Sequence, residues 1–226
     1  MHPYMEFRPF KMEEVMGEFR ATISMPCYLR VKSTQRALEC ILSQTAAPFE
    51  AIAIWDGCPY YHTFEPFLAE MKIAMESKGN AFVYFNTEHS GGYGYKQVNW
   101  AIKNARGKYF LTLGNDDYIE PNHIEHYLSG IEGTDFDIVC FDTFLVKYNC
   151  LRVAGFVYGS AGDQEIIVKT EFRRKVPERG TEYASDWTGI ENMIRAGAKL
   201  GKGGGKPTYY VANADGPGGS LETMIP

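Results

Sequence analysis

Between Ala21 and Asp117 the sequence repeats one pattern three times, a short apolar run and then a segment whose apolar residues recur at helical spacing, and closes on a fourth apolar run. Ala21–Met25 reads as a first strand halted by Pro26. Ser33–Gln44 reads as a helix with Leu38, Ile41 and Leu42 on one face. Phe49–Trp55 is a nearly all-apolar second strand ending at Asp56-Gly57. Phe64, Phe67, Leu68, Met71 and Met75 mark a second helix that stops near Gly79. Ala81–Phe85 is a third strand, and Val98, Ala101, Ile102 and Ala105 line a third helix that stops at Gly107. Tyr109–Leu113 is a fourth strand running into Gly114-Asn115-Asp116-Asp117. Strands this apolar, separated by helices, belong in a parallel sheet covered on both faces. The fold class expected is therefore α/β, a mainly parallel central sheet flanked by helices.

The second half follows another rhythm. Phe136–Val146 reads as one long strand, followed by strands at Val153–Val157 and Glu165–Val168, a helix over Asp186–Ala198 and a strand at Tyr209–Ala212. Residues 1–20, with Pro3 and Pro9, read as an extension laid over a single domain of residues 21–226. That domain divides at Asp117 into a front half (21–117), patterned as nucleotide-binding sheets are, and a mixed back half (118–226). Asn213–Ser220, rich in glycine, reads as a loop.

Bulk properties narrow the function classes. The formal net charge is −5 and the basic residues are scattered, so nucleic acid is not an expected partner. No apolar run approaches the roughly 20 residues that span a bilayer, and the amino terminus shows no signal-peptide core. Five cysteines without a CxxC pair read as small buried thiols in a reducing cytoplasm, with no disulfide frame or zinc site.

Ligands on parallel sheets gather beyond the carboxyl ends of the strands. Tyr28, Asp56 and the Asp116-Asp117 pair all lie there. Adjacent carboxylates supply the hard oxygen ligands that Mg²⁺ or Mn²⁺ prefers, although the same dipeptide serves equally as a turn. Asp56 could accept a hydrogen bond from a ring N–H, or simply close a turn with Gly57. Lys96 opens the third helix behind Ser90-Gly91-Gly92-Tyr93-Gly94-Tyr95, where backbone can approach a phosphate, although a lone lysine is more often a solvated charge. Asp186 follows Ser185, a good helix cap. It fits either a favourable first-turn acid or a general base. Gly201-Lys-Gly-Gly-Gly-Lys206 lacks phosphate-loop spacing and reads as a flexible link. His123 and His126 read as surface residues of a helix beginning near Pro121.

Taken in order, these stretches resemble the family 2 glycosyltransferases of the GT-A fold. The resemblance begins at Ile23-Ser-Met-Pro-Cys-Tyr28 and continues through Leu38-Glu-Cys-Ile-Leu-Ser-Gln-Thr45, close to the family's "SIL-x-QT". It includes Phe49-Glu50, Trp55-Asp56-Gly57 where the family has "DDG", and Asn99-x-x-Ile102-x-x-Ala105-x-Gly107-x-Tyr109. Asn115-Asp116-Asp117, Ser185-Asp186-Trp187 and Arg195-Ala-Gly197 complete it, covering roughly residues 21–200.

The resemblance implies a metal-dependent, inverting transfer of a sugar from a nucleotide-sugar donor, a UDP-sugar by family preference, to a hydroxyl acceptor such as a glycan. Asp56 would bind the nucleobase, with Tyr28 and Pro26 packed beside it. Asp117 would ligate Mn²⁺ or Mg²⁺, and Asp116 would contact the ribose or share the metal. Lys96 would approach the diphosphate, and Asp186 would be the base. Three departures bear on these roles: Gly114 replaces the first Asp of a DxDD, Trp55 replaces the first Asp of "DDG", and Ser185 replaces a Glu. The competing classes are a sugar nucleotidyltransferase, which would carry a Gly- and Arg-rich loop after the first strand, and a non-catalytic sugar-nucleotide or glycan-binding module.

Overall fold

The computed structural model describes residues 18–178, 180 and 185–212. The extension up to residue 17 and the glycine-rich stretch 213–220 lie outside the described residues. The front half folds in the expected order: β1 (Phe19–Cys27), α1 (Val31–Leu42), β2 (Phe49–Trp55), α2 (Glu65–Glu76), β3 (Ala81–Asn86), α3 (Tyr95–Asn104) and β4 (Gly107–Thr112). The back half contributes β5 (Tyr118–Ile119), α4 (His123–Ile131), β6 (Ile138–Cys140), β7 (Thr143–Leu145), β8 (Cys150–Arg152), β9 (Ile166–Lys169), α5 (Thr170–Lys175), α6 (Ser185–Arg195), β10 (Leu200–Lys202) and β11 (Tyr209–Val211).

A 7-stranded sheet runs in the order β10-β6-β9-β4-β1-β2-β3, and a 4-stranded sheet in the order β5-β11-β7-β8. In the larger sheet β9 alone runs against its neighbours β4 and β6; the other pairings are parallel. One face carries Ala21, Ile23, Met25, Phe49, Ala51, Ala53 and Trp55 into a core shared with α1, α2 and α4. The opposite face carries Ile52, Ile54 and Phe110 into a core shared with α3 and α6. Strands buried on both faces need no alternation, which is why β2 is buried along its whole length.

One acid sits inside this sheet. Glu50 lies beside Thr22 in the β1–β2 register and is buried. Its Oε2 accepts from the Thr22 hydroxyl (2.8 Å) and the Arg106 backbone N–H (2.8 Å), and its Oε1 accepts from Arg106 Nε (2.8 Å). The Thr22 hydroxyl oxygen in turn accepts from the Gly107 N–H at 2.9 Å. The Glu50 carboxylate therefore ties β1, β2 and the start of β4 into one register. A buried charge is tolerated only with partners of this kind.

Several local expectations are corrected. β1 runs through Pro26 to Cys27, because its ladder with β4 ends at Ser24 and the missing proline N–H costs no pairing there. The long strand over 136–146 is two strands in different sheets, broken at Phe141-Asp142. Phe141 N–H bonds the Glu165 carbonyl (2.7 Å), while the Asp142 carboxylate accepts from Ala154 N–H (2.9 Å) and from Lys202. Residues 153–157 are irregular, and the strand of that hairpin is β8. Leu200–Lys202 is an edge strand rather than part of a flexible link. A Cβ at Gly201 would stand 2.6 Å from the Phe136 ring, and one at Gly203 2.0 Å from that of Phe141, so these glycines allow close packing. His123 is buried, bonded through Nδ1 to the Thr208 hydroxyl (2.9 Å) and packed on Tyr127. Burial pushes it down to about 3, so it is neutral. Among the cysteines Cys150 is exposed and Cys40 half-buried, against the expectation of five buried thiols.

The Glu50 network makes a test of register. Glu50→Ala, which strands Arg106 and Thr22, should lower unfolding free energy by about 3 kcal/mol in urea titration, while Glu50→Gln loses less. A Glu50→Ala variant within about 0.5 kcal/mol of the native chain would show that packing alone holds the register.

Candidate functional site

The carboxyl ends of β1, β2, β3 and β4 open on the same edge of the sheet, and the loops there are knitted together by side chains. Asp56, just past β2, is buried, and both its oxygens are engaged. Oδ1 accepts from Ser90 N–H (2.8 Å), the Ser90 hydroxyl (2.7 Å) and Gln97 Nε2 (2.8 Å), while Oδ2 accepts from Gly91 N–H (3.1 Å). His89 Nδ1 lies 3.0 Å from the Asp56 carbonyl oxygen and 3.2 Å from Oδ2, both acceptors, so that nitrogen carries a proton. Asp56 thus fixes the 89–91 loop, and an incoming ring N–H would have to displace one of these donors. Gly57, at φ 64°, makes the approach possible: a Cβ there would collide with the backbone nitrogen of His89. Trp55 is fully buried and packs on Tyr61 and Phe64, so it belongs to the core.

Beside Asp56, Tyr28 and His89 stack with ring centroids 4.8 Å apart and planes 20° apart. Tyr28 keeps 41% of its surface exposed. Pro26 packs against the loop before α3, where a Cβ on Gly94 would come within 2.7 Å of the proline ring. Lys96 is exposed in the first turn of α3, its ammonium 5.9 Å from the centre of the Tyr95 ring.

The turn after β4 is held at all four residues. Gly114 N–H donates to the Tyr209 hydroxyl (2.9 Å), and that hydroxyl donates to Asp117 Oδ2 (2.8 Å). Asp117 Oδ1 accepts from Ala212 N–H (2.9 Å). Asn115 Nδ2 donates to the Thr34 hydroxyl (2.8 Å). The Asp116 carboxylate pairs with the Arg30 guanidinium, and its backbone carbonyl accepts from Arg36 Nη2 (2.8 Å). Arg30 and Leu29 both sit at positive φ, 54° and 51°. Two consecutive non-glycine residues there cost on the order of 1–3 kcal/mol each, strain of the kind concentrated at ligand sites.

These residues do not fit a preformed metal centre. Position 114 supplies no carboxylate, and a Cβ there would stand 2.7 Å from Asp117 Oδ2. Asp117 is buried with both oxygens bonded, and Asp116 is shared with an arginine. Among the described residues no group of three His, Cys, Asp or Glu side chains could hold an ion. Asp116 is the one member of the pair within reach of a ligand, its side chain 22% exposed.

Asp186 opens α6, and its Oδ1 accepts the Trp187 N–H at 2.8 Å. Its other oxygen faces Gly162, where an added Cβ would lie 2.3 Å away. Gly162 N–H donates to Oε2 of Glu165 (2.6 Å), a fully buried acid whose Oε1 accepts from the Thr143 hydroxyl (2.9 Å) and lies 3.4 Å from Arg152. Burial raises the Glu165 carboxyl. Arg152, the Gly162 N–H and the Thr143 hydroxyl oppose that rise, and the charge of Asp186 adds to it. Glu165 in turn raises Asp117. The fold therefore brings Asp117, Glu165 and Asp186 into one electrostatic neighbourhood, although they are far apart in sequence. Glu165, Arg30, Arg36, His89 and Tyr209 carry no motif that distinguishes them in the sequence. The one signal was position: Arg30 and His89 follow strand ends.

Burial pushes the Asp117 carboxyl up to about 6, against the hydrogen bonds from Tyr209 and Ala212. A folded-state value above the unfolded one favours folding below about pH 4, and that contribution is lost as pH rises through about 6. Asp117→Asn should therefore gain on the native chain by on the order of 3 kcal/mol between pH 4 and pH 7. Parallel urea titrations across that range would refute the burial argument if the difference stayed constant.

Comparison with known proteins bears on the family and the fold. The chain is 32% identical over 108 residues to an uncharacterised glycosyltransferase of Rickettsia bellii, which covers 48% of this chain and 14% of that protein. It is 30% identical over 122 residues to another of Rickettsia typhi, covering 53% and 35%. The chain thus spans well under half the length of either relative. Among solved structures, Staphylococcus aureus TarS residues 1–349 in complex with UDP superposes with a TM-score of 0.71 at 15% identity, over 85% of this chain and 60% of that one. The mannosyltransferase PcManGT of Pyrobaculum calidifontis, in complex with GDP-Man and Mn²⁺, superposes with a TM-score of 0.67 at 13% identity, over 93% and 62%. Those likenesses establish the GT-A fold. The family model for glycosyl transferase family 2 matches residues 22–155, more than half of the chain, and the chain belongs to that family.

Proposed function

We propose that this chain transfers a sugar from a nucleotide-sugar donor, UDP-linked by preference, to a hydroxyl of an acceptor such as a glycan, with inversion at the anomeric carbon. The observation that carries the reading is the meeting, at one edge of the sheet, of a half-exposed aromatic stack, a guanidinium pair and an acid. The Tyr28–His89 stack offers a face for a base. Pro26 and Asp56 hold the loop that places His89, and Asp116 with Arg30 marks the diphosphate position. Lys96, exposed at the start of α3, adds a charge that can swing toward the phosphates.

In this reading Asp186 is the general base. It takes the acceptor hydroxyl's proton as that oxygen bonds the anomeric carbon, and the carbon–oxygen bond to the diphosphate breaks on the opposite side. The negative charge gathers on the departing nucleoside diphosphate, where the guanidinium groups face it. Glu165 and Gly162 hold the floor beneath Asp186. The Mn²⁺ or Mg²⁺ ion that the family resemblance implies finds no preformed ligand set among the described residues, where Asp116 is the accessible carboxylate of the pair. UDP and GDP-Man are ligands of the structural neighbours and support a nucleotide site of this class. Among the described residues no helix is long and apolar enough to cross a membrane. A reducing, cytoplasmic setting is the compartment that suits five free thiols.

Calorimetric titration with uridine, guanosine and thymidine diphosphates, with and without Mn²⁺, tests the donor site. UDP should bind, and Tyr28→Ala should weaken it by roughly tenfold, the worth of one stacked base. Asp186→Asn should leave UDP affinity unchanged while transfer falls at least roughly a hundredfold. Silence toward all three diphosphates would refute the donor reading. Unchanged transfer by Asp186→Asn would remove Asp186 as the base. Tight UDP binding without turnover of any UDP-sugar would favour the non-catalytic module.

A further inference from the structure

Where the family resemblance places a metal, the structure places an arginine. The Asp116 carboxylate is paired with the Arg30 guanidinium, and Arg36 donates to the same residue's carbonyl, so two guanidinium groups converge on one accessible acid. Both arginines belong to one element: Arg30 is the residue before α1, and Arg36 lies in its second turn, its guanidinium carbon 4.9 Å over the Tyr118 ring. The left-handed backbone of Leu29 and Arg30 turns the chain sharply between β1 and α1, at the strand end where Tyr28 stacks on His89. The Arg30–Asp116 pair remains accessible, with side-chain exposures of 25% and 22%. The other members of an acidic metal site are absent or engaged, since position 114 has no side chain and no room for one, and Asp117 is bonded to Tyr209 and Ala212.

We infer that Arg30, backed by Arg36, replaces the divalent cation, so that the donor's diphosphate binds a guanidinium fork and requires no metal. The inference rests on the donor site proposed above. A guanidinium is charged at every working pH and presents parallel N–H donors matched to phosphate oxygens. It can therefore bind the diphosphate and offset the charge that builds on it as the sugar leaves, while Asp116 orients the fork from behind. Arg36 fixes the turn that presents Asp116, with its ring contact to Tyr118 limiting its movement.

The test uses three probes on the native chain: inorganic pyrophosphate and UDP by calorimetry, each in EDTA and in Mn²⁺, and Mn²⁺ alone by the paramagnetic resonance signal of the free ion. Pyrophosphate and UDP should bind in EDTA with dissociation constants within about threefold of those in Mn²⁺. Arg30→Ala should weaken both at least roughly tenfold, with Arg30→Lys falling between because it keeps the charge and loses the fork. Matching thermal melts of the two variants and the native chain separate lost binding from lost folding. The protein alone should leave the Mn²⁺ signal undiminished at equimolar ratio. Binding of UDP and pyrophosphate only in Mn²⁺, or a stoichiometric Mn²⁺ site lost in Asp116→Ala, would overturn the inference and leave the donor site standing. Binding of pyrophosphate and UDP in EDTA that Arg30→Ala does not change would overturn it as well. Failure of every diphosphate in both buffers would refute the donor reading itself, and the inference with it.

Discussion

Tyr209 stands between the two sheets, and its hydroxyl settles what the acidic turn can do. It accepts from Gly114 and donates to Asp117, so the strand that carries it, β11, is fastened to the end of β4. The Ala212 N–H completes the attachment at the other oxygen of Asp117. Tyr209 is itself fully buried against His123, which is held neutral by burial and bonded to Thr208. The smaller sheet is thus joined to the larger one through the residue that the family resemblance assigns to a metal. Asp117 here is an interior acceptor, and its neighbour Asp116 is the accessible acid of the pair.

The carboxylates of this chain show how environment divides one functional group among several tasks. Glu50 is buried in the middle of the sheet and satisfied by Thr22 and Arg106, and it sets strand register. Asp56 is buried at a strand end and satisfied by Ser90, Gly91 and Gln97, and it shapes a loop. Glu165 is buried under Asp186 and supports it through Gly162. Asp116 and Asp186 remain partly exposed, and these two carry the proposed chemistry. Desolvation is costly for a charge without partners, so the deepest acids are those with the most donors around them. The reachable ones are left to meet ligands.

Much of the fold was legible in the sequence because the front half is periodic. Apolar runs followed by amphipathic segments leave a parallel sheet between two helical layers as the arrangement that buries all of them, and β2 was read to the residue. The back half was harder because its strands are short and its turns are made by distant side chains. The break at Phe141-Asp142 depends on Glu165, Ala154 and Lys202, none of which is local. Gly201 and Gly203 read as flexibility, yet they exist to let Phe136 and Phe141 approach the backbone. His123 falls with Ile124, Tyr127, Leu128 and Ile131 on the buried face of α4, a pattern that its polarity concealed.

The sequence by itself determined the family, the parallel sheet and the edge at which ligands gather, since these follow from local periodicity and from the order of short motifs. It also located Tyr28, Asp56 and the Asp116-Asp117 pair past the strand ends. Only the tertiary structure decided what each acid is free to do. Whether a carboxylate is a ligand, a base or an internal acceptor depends on which donors reach it, and for Asp56, Asp116 and Asp117 those donors come from residues distant in the chain. Arg30 meets Asp116, Tyr209 meets Asp117 and Ser90 meets Asp56 through folding alone. No local pattern encodes such meetings, because burial and hydrogen bonding are properties of the packed chain.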